Sequence, residues 1–489
     1  MSPSAERNCE DLLDAGELFP TFRDPAGQLR FTGSHALRRI SPAAVAETRA
    51  FLASPLRAAL ERRGDLVATE IASSGTHPCV PAGELRLQHP RIAPISYPWE
   101  WTPAQWVDAA ELTLRIAACA IEAGWTLKDA TPLNIVFAGP RPVLVDVLSL
   151  ERRDSHSAIW LAYGQFVRTF LLPLAAAKYL GWPLENTLFH RDGYEPRVIY
   201  GALYPWQRLY PHLFDVVTLA TLFEGSGGKE RKGRGTEHVG DAGLATHLLL
   251  RRIARLGKQI RRAAPSSSRS RWSDYPQSSP HYSASDIEGK KQFVRRALDR
   301  LRPSQVLDVG ANTGTYSLLA AEAGARVVAL DSDAAAIESL WNSARQNNKP
   351  VTALVANIAR PTPAAGWRNR EHLSLLDRLT GNFDLVLMLA VIHHLILREQ
   401  VPLGHIAWLC STLARRELVL EWVPPSDPMY REWLRGRDSL YGMLSEDDLL
   451  RAFKPFFHVT DRTALGNGRV LFLFERDSGP GQSAGAALE

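Results

Sequence analysis

Cysteine and methionine are scarce in this chain, with four of each in 489 residues. Cys9, Cys79, Cys119 and Cys410 are scattered, and no two have the spacing of a metal-ligand or redox pair. That excludes a cysteine-built centre and leaves four free thiols, as expected in a reducing compartment. Long apolar runs are also missing. The stretches near 110–123 and 166–180 are broken by Arg115 and by Arg168 and Pro173, so neither reads as a membrane span. The N-terminal "MSPSAERNCEDLLDAGELF" carries acids where a secretory leader needs an apolar core. The expected location is cytoplasmic. No internal repeat is visible, and a net charge of +5 is too mild to argue for a nucleic-acid partner.

What remains is an ordinary globular composition, 45% hydrophobic and 22% charged, in a chain long enough for two cores. Composition divides it into an N-terminal α+β domain (1–225), a basic Gly/Ser-rich linker (226–280), a C-terminal domain (281–476) and a disordered tail (477–489). Within the linker, "LATHLLLRRIARLGKQIRRA" sets Leu248, Leu249, Ile253, Leu256 and Ile260 at helical spacing among arginines and lysines. Such a helix either packs its leucines on a neighbouring domain or makes a weak polyanion contact through the 229–271 basic segment.

From residue 290 helices and strands alternate. "KKQFVRRALDRL" reads as a helix, "QVLDVG" as a strand, and "YSLLAAEAG" as a helix ended by Gly324. "RVVALDSD" is the next strand, with "VTALVAN", "FDLVLMLAVIHHL" and "ELVLEWV" as later ones. This alternation predicts a doubly wound parallel sheet whose ligand sits at the carboxyl ends of the strands. In "VLDVGANTGTYS" the dinucleotide pattern G-x-G-x-x-G fails at Asn312 and Thr315. The pattern D-x-G-x-G-x-G fits at Asp308, Gly310 and Gly314 and departs only at Asn312. It suits S-adenosylmethionine, which has no phosphate but a zwitterionic end. Helix N-terminal N–H groups can take the carboxylate, and Asp308 can face the ammonium. Asp331, 23 residues after Asp308, either accepts the ribose hydroxyls or caps the next helix. Asn357 either contacts adenine or starts a turn.

Together "VLDVGANTGTYS…VVALDSD…FDLVLMLAVIHHL" resembles the class I S-adenosylmethionine-dependent methyltransferases over roughly 290–476. The resemblance implies a Rossmann-like domain that binds the cofactor through Asp308, Gly310, Asn312, Gly314, Asp331 and Asn357. More narrowly, "LKDATPLNIVF", "FVRTFLLPLA" and "ALDSD" resemble full-length proteins grouped with the rhizobial host-specificity nodulation proteins, which implies little about substrate.

Methyl transfer needs an acceptor in line with the sulfonium, and a base only if the acceptor carries its proton. His393 and His394, expected at the end of the fourth strand, are the candidates for proton transfer; otherwise they shape the pocket. Glu421 and Asp427 are candidates for its rim, against an ordinary strand-end carboxylate and a turn residue. Tyr275 and Tyr282, before the first helix, could belong to a lid or anchor to a surface. No zinc-ligand cluster is present, so no metal is expected.

In the N-terminal half, Asp129, Asn134 and Asp146 are spaced like a series in protein kinases and aminoglycoside-phosphotransferase-like enzymes. There the first positions the acceptor hydroxyl and the others hold magnesium. No Gly-rich loop is evident near 20–75, and no lysine sits in a convincing strand. A degenerate kinase-like scaffold, an active nucleotide site, and three turn and strand-end residues all stay open. Trp99, Trp101 and Trp106 fill a core or an interdomain contact, or form a stacking platform. The expectation is methyl transfer to an unidentified acceptor, a small molecule or glycan rather than nucleic acid, with the N-terminal domain aiding recognition. The alternatives are a kinase-like protein binding ATP and magnesium with a regulatory C-terminal domain, and a non-enzymatic basic adaptor.

Overall fold

A computed structural model describes residues 23–72, 85–224, 239–265, 283–434 and 436–477. Tyr275, Tyr282 and the tail after 477 lie outside the described residues. The chain divides into two units. Unit 1 takes in Met1–Phe137, Pro142–Ser266 and Ala365–His372; unit 2 takes in Ala138–Arg141, Ser267–Ala364 and Leu373–Glu489.

Unit 1 is an α+β assembly. Its antiparallel sheet sets Gly27–Thr32, His35–Ile40, Arg86–Pro90 and Glu70–Ile71 side by side. The core is organised by the helix Pro103–Glu122, which starts at a capping box. The Thr102 hydroxyl accepts from the Gln105 N–H, and the Gln105 side chain accepts from the Thr102 N–H at 2.9 Å. Ala109, Leu112, Ile116 and Ala120 then recur on one fully buried stripe. The three tryptophans fill this unit's interior. Trp101 meets Trp106 and Phe137 edge-on, and the Trp106 indole donates to the Phe170 carbonyl at 3.1 Å. Trp99 stacks on Tyr97 with the His372 ring at its edge.

The helix Ala242–Ala263, placed in a linker by its composition, belongs to unit 1. Asp241 caps it, and Ala245, Leu249, Ile253, Leu256 and Ile260 are buried, with the helix lying against Pro103–Glu122. Its basic residues all fall on the outer face. Averaging over the two faces is what makes the segment look like linker.

Unit 2 is built on seven strands in the order Val351–Val355, Arg326–Asp331, Gln305–Val309, Phe383–Met388, Ala414–Trp422, Val470–Arg476, Phe457–Ala464. The first five are parallel, and the last two form an antiparallel hairpin at one edge, a feature the alternating pattern did not specify. From Gln305–Val309 the chain winds outward through two strands, then returns to the other side of the same strand with Phe383–Met388. The order therefore reverses between these two neighbours, opening a crevice at their carboxyl ends. The interior is aliphatic and aromatic, and Cys410 lies within it, its thiol pushed up to about 12 by burial.

If the helix Ala242–Ala263 is packed rather than tethered, Leu256→Ala, at 1% exposure, lowers unfolding free energy by about 2–5 kcal/mol. Leu248→Ala, at 42% exposure, shifts it by less than about 0.5 kcal/mol. Denaturant unfolding of the two variants gives the comparison, and equal small effects would mean a tethered helix.

Candidate functional site

The crevice of unit 2 is a cavity of about 620 Å³ that includes Asp308, Gly310, Asn312, Asp331, Asn357, His393 and His394 in its wall. The loop between the strand Gln305–Val309 and the helix Thr315–Glu322 makes three left-handed turns, at Gly310 (φ +72), Asn312 (φ +50) and Gly314 (φ +85). Asparagine is among the side chains that tolerate this region, which explains why the motif can depart from glycine at 312. A Cβ on residue 314 would lie 2.1 Å from Leu340, and one on residue 310 would lie 2.4 Å from Val391. The loop is thus pressed against its surroundings on its closed side.

Asp331 does not cap the following helix; Asp333 does. Instead its two carboxylate oxygens accept from the Asn312 and Asp333 N–H groups, each at 2.9 Å. The carboxylate is thereby oriented, and it keeps lone-pair capacity for a further donor. Burial raises its pKa, and these N–H groups oppose the rise. Asp308 is 2% exposed and accepts from the Ser317 hydroxyl at 2.6 Å. Burial pushes its carboxyl up to about 6, against that hydrogen bond and the nearby Lys290 charge. Asn357 lies two residues beyond its strand, and its amide oxygen accepts from the Ala359 N–H at 2.9 Å, so it does start a turn while lining the cavity.

Both histidines lie on the helix Ile392–Leu397, not on the strand, which ends at Met388. Consecutive helical residues diverge by about 100° rather than 180°, so both reach the cavity wall, with ring centroids 4.3 Å apart. Trp433 stacks on His393 and meets His394 edge-on. Burial drives His393 well below its ordinary value and His394 down to about 4, so both imidazoles are neutral at neutral pH. Ala390, also in the wall, holds φ +56 at the strand–helix junction, strain of order 1–2 kcal/mol that collects at functional sites.

Glu421 and Asp427 are not on the rim. They are 0% and 3% exposed and serve as counter-ions to two cations that do line the cavity. Lys290 sits 2.5 Å from Glu421, and Arg469 sits 2.8 Å from Asp427 and 3.4 Å from Glu421. Lys290 also lies over the Tyr316 ring, 5.1 Å from its centroid. Sequence reasoning missed Lys290, Arg469, Tyr316 and Trp433. Only Lys290 left a signal: it falls on the buried stripe of the helix Ala284–Leu301, in phase with Asp286, Phe293 and Ala297.

In unit 1 the Asp129–Asn134–Asp146 series is joined by residues no motif marked. Arg38, on the strand His35–Ile40, reaches Asp146 at 2.7 Å and Asp24 at 3.4 Å. The Ser149 hydroxyl donates to Asp146, and the Asn134 amide donates to Ser149 at 3.0 Å. Burial raises the pKa of Asp129, and Asp146 adds to the rise. The Asp146 carboxylate is therefore already committed to a guanidinium, a hydroxyl and the Leu148 N–H. Among the described residues no acidic or histidine cluster is arranged to hold a metal ion.

Residues 307–407 match a family model described as a methyltransferase domain. Over 482 residues the chain is 28% identical to nodulation protein NoeA of Rhizobium meliloti (strain 1021), covering 94% of this chain and 96% of that protein. Similar solved structures include N-methyltransferase NodS from Bradyrhizobium japonicum WM9 in complex with S-adenosyl-l-homocysteine. It shows 14% identity, a TM-score of 0.30, and coverage of 39% of this chain and 87% of NodS. Another is WbdD, described as a bifunctional kinase-methyltransferase, with 23% identity and a TM-score of 0.28 over 39% of this chain. The chain spans only 38% of WbdD's length. With the sheet order and the cavity above, the family match makes unit 2 a class I methyltransferase domain whose cofactor is S-adenosylmethionine.

If Asp308 meets the cofactor's ammonium, cofactor affinity should weaken as pH falls below about 6, approaching tenfold per pH unit for one linked proton. Calorimetric titration between about pH 8 and about pH 5 reads this out, and Asp308→Asn should flatten the slope. A flat wild-type profile would remove Asp308 from the ammonium. In unit 1, Arg38→Ala leaves Asp146 and Asp24 without their guanidinium and should cost about 2–3 kcal/mol of unfolding free energy.

Proposed function

We propose that the protein transfers the methyl group of S-adenosylmethionine to a small-molecule or glycan acceptor, and that unit 1 helps select that acceptor. The observation that carries the reading is the cavity wall: an oriented carboxylate, a buried carboxylate and two neutral imidazoles around one crevice. When bound, the cofactor supplies a methyl group activated by its sulfonium. Asp308 faces the ammonium, and the first-turn N–H groups of Thr315 and Tyr316 face the carboxylate. Asp331 accepts the ribose hydroxyls, with Asn312 setting the carboxylate's angle. Asn357 offers its amide to the adenine edge.

His393 and His394 stand where an acceptor proton would leave. Their low pKa values fit the chemistry, because an attacking hydroxyl becomes strongly acidic only as the new bond forms, and a weak neutral base then suffices. The ion set of Lys290, Glu421, Arg469 and Asp427 balances its own charge, so it fixes the wall without adding a net charge. Unit 1 selects the acceptor without phosphate transfer in this reading, since Arg38 sits on the carboxylate that would otherwise take magnesium.

Titration of the purified protein with S-adenosylmethionine should give micromolar binding that Gly310→Arg abolishes, since a side chain at 310 collides with Val391. ATP with magnesium, run in parallel, should give none. Silence with S-adenosylmethionine, or ATP binding lost in Asp146→Ala, would sink the proposal. Once an acceptor is found by screening with radiolabelled cofactor, His393→Ala or His394→Ala should lower kcat by about 10²–10⁴-fold if that residue is the base. An unchanged kcat in both would reduce the pair to pocket wall.

A further inference from the structure

Among the described residues of unit 1, exposed apolar side chains gather in 196–224, far along the chain from the Asp146 cluster. There the helix Pro196–Ala202, the turn Gln207–Leu209, the Phe214–Leu219 segment and the helix Ala220–Glu224 pack together. Large side chains nevertheless point outward: Tyr204, Trp206, Leu209 and Phe223 are 59–70% exposed. Tyr204 and Trp206 stack on each other with ring centroids 4.7 Å apart and planes 2° from parallel. Pre-stacked rings lose little freedom when their outer faces are covered.

The helix Ala242–Ala263 is joined to this cluster. Arg255 reaches Asp215 at 2.9 Å, and the Gln259 amide donates to Asp215 at 2.8 Å and to the His212 carbonyl at 3.0 Å. The helix holds Arg251, Arg252, Arg255, Lys258, Arg261 and Arg262, all exposed, and no carboxylate. Among the described residues, only Arg255 and Arg261 meet an acidic side chain, Asp215 and Glu111. The outer stripe is also partly apolar. Leu244 and Leu248, 48% and 42% exposed, precede Arg251 and Arg255 at helical spacing.

We infer that this face of unit 1 is a peripheral membrane-binding surface for anionic phospholipid. Trp, Tyr, Leu and Phe side chains enter the headgroup–acyl boundary, and the arginines and lysine of Ala242–Ala263 meet the phosphates. The combination selects a lipid surface. A polyanion such as RNA would answer to the cations but leaves the exposed aliphatic groups unused. A protein interface of this apolar content is depleted in unmatched charge at its core. No described helix is long and apolar enough to cross a bilayer, so the contact is with the surface.

The test is co-sedimentation of the full-length protein with vesicles of phosphatidylcholine alone or mixed with phosphatidylglycerol. The mixed vesicles should capture the wild type and the neutral ones should not. The triple variant Trp206→Ser, Leu209→Ser, Phe223→Ser should lose at least about tenfold in partitioning. Arg251→Gln with Lys258→Gln should lose about fivefold per charge and become less salt-sensitive. All of these side chains are exposed, so both variants should keep the wild-type far-ultraviolet circular dichroism and denaturant unfolding curve, which checks the folding of unit 1 independently of vesicle binding. No capture by mixed vesicles overturns the inference, as does capture that neither variant weakens. Concentration-dependent self-association abolished by the triple variant would assign the face to a second copy instead, and binding to heparin but not to vesicles would make it a polyanion site.

Discussion

The wall of the methyltransferase cavity depends on four buried charges. Lys290, Glu421, Arg469 and Asp427 come from the first helix, the fifth parallel strand, the edge hairpin and the segment after that strand. Taking one such charge out of water costs several kcal/mol unless a partner stands within hydrogen-bonding distance. Each of the four is therefore a condition on the position of the others. Asp286, one turn before Lys290 on the same helix, accepts from the Gly466 N–H at 2.7 Å, pinning the helix to the turn that carries Arg469. A network like this adds little net stability against a well-packed apolar substitute, but it tolerates one geometry. In this fold that geometry decides where the cavity's Lys290, Arg469 and Tyr316 stand.

On the opposite side of the crevice the same logic runs through backbone rather than charge. The glycine loop has to turn sharply three times within five residues, and the left-handed position at 312 is filled by an asparagine whose N–H fixes Asp331. The departure from the glycine pattern is thus a trade. Some conformational ease is given up, and the Asn312 side chain accepts from the Thr313 N–H at 2.7 Å, stiffening the loop. A loop that is rigid before its ligand arrives loses less freedom on binding.

This contrast explains what could be read in the chain beforehand. The Asp308–Gly310–Gly314 loop and Asp331 were legible because local pattern and spacing alone specify them. The five parallel strands were legible because buried parallel strands are continuous apolar runs. The two histidines were legible as residues but not as geometry. An apolar run through "LMLAVIHHL" does not show where a strand ends and a helix begins, and the break falls at Ala390 through a left-handed turn that no residue type announces. Glu421 and Asp427 were misplaced for a related reason. A carboxylate at a strand end looks solvent-facing until its partner is known, and that partner, Arg469, lies 48 residues from Glu421 in sequence. Pairings across such distances leave no local trace.

Unit 1 carries the same lesson in reverse. There the local spacing of Asp129, Asn134 and Asp146 was visible, and the decisive contact was not. Arg38, more than a hundred residues earlier, places a permanent positive charge on Asp146. A guanidinium cannot be deprotonated near neutral pH and forms directional hydrogen bonds, so it competes with a hydrated divalent ion for the same oxygens. A phosphate-transfer site needs that carboxylate available to metal. Arg38, Ser149 and the Leu148 N–H share it here, so a metal ion would have to displace the guanidinium to reach the same oxygens. The kinase-like spacing is set by local turns, whereas the positive charge on Asp146 is set by one distant side chain.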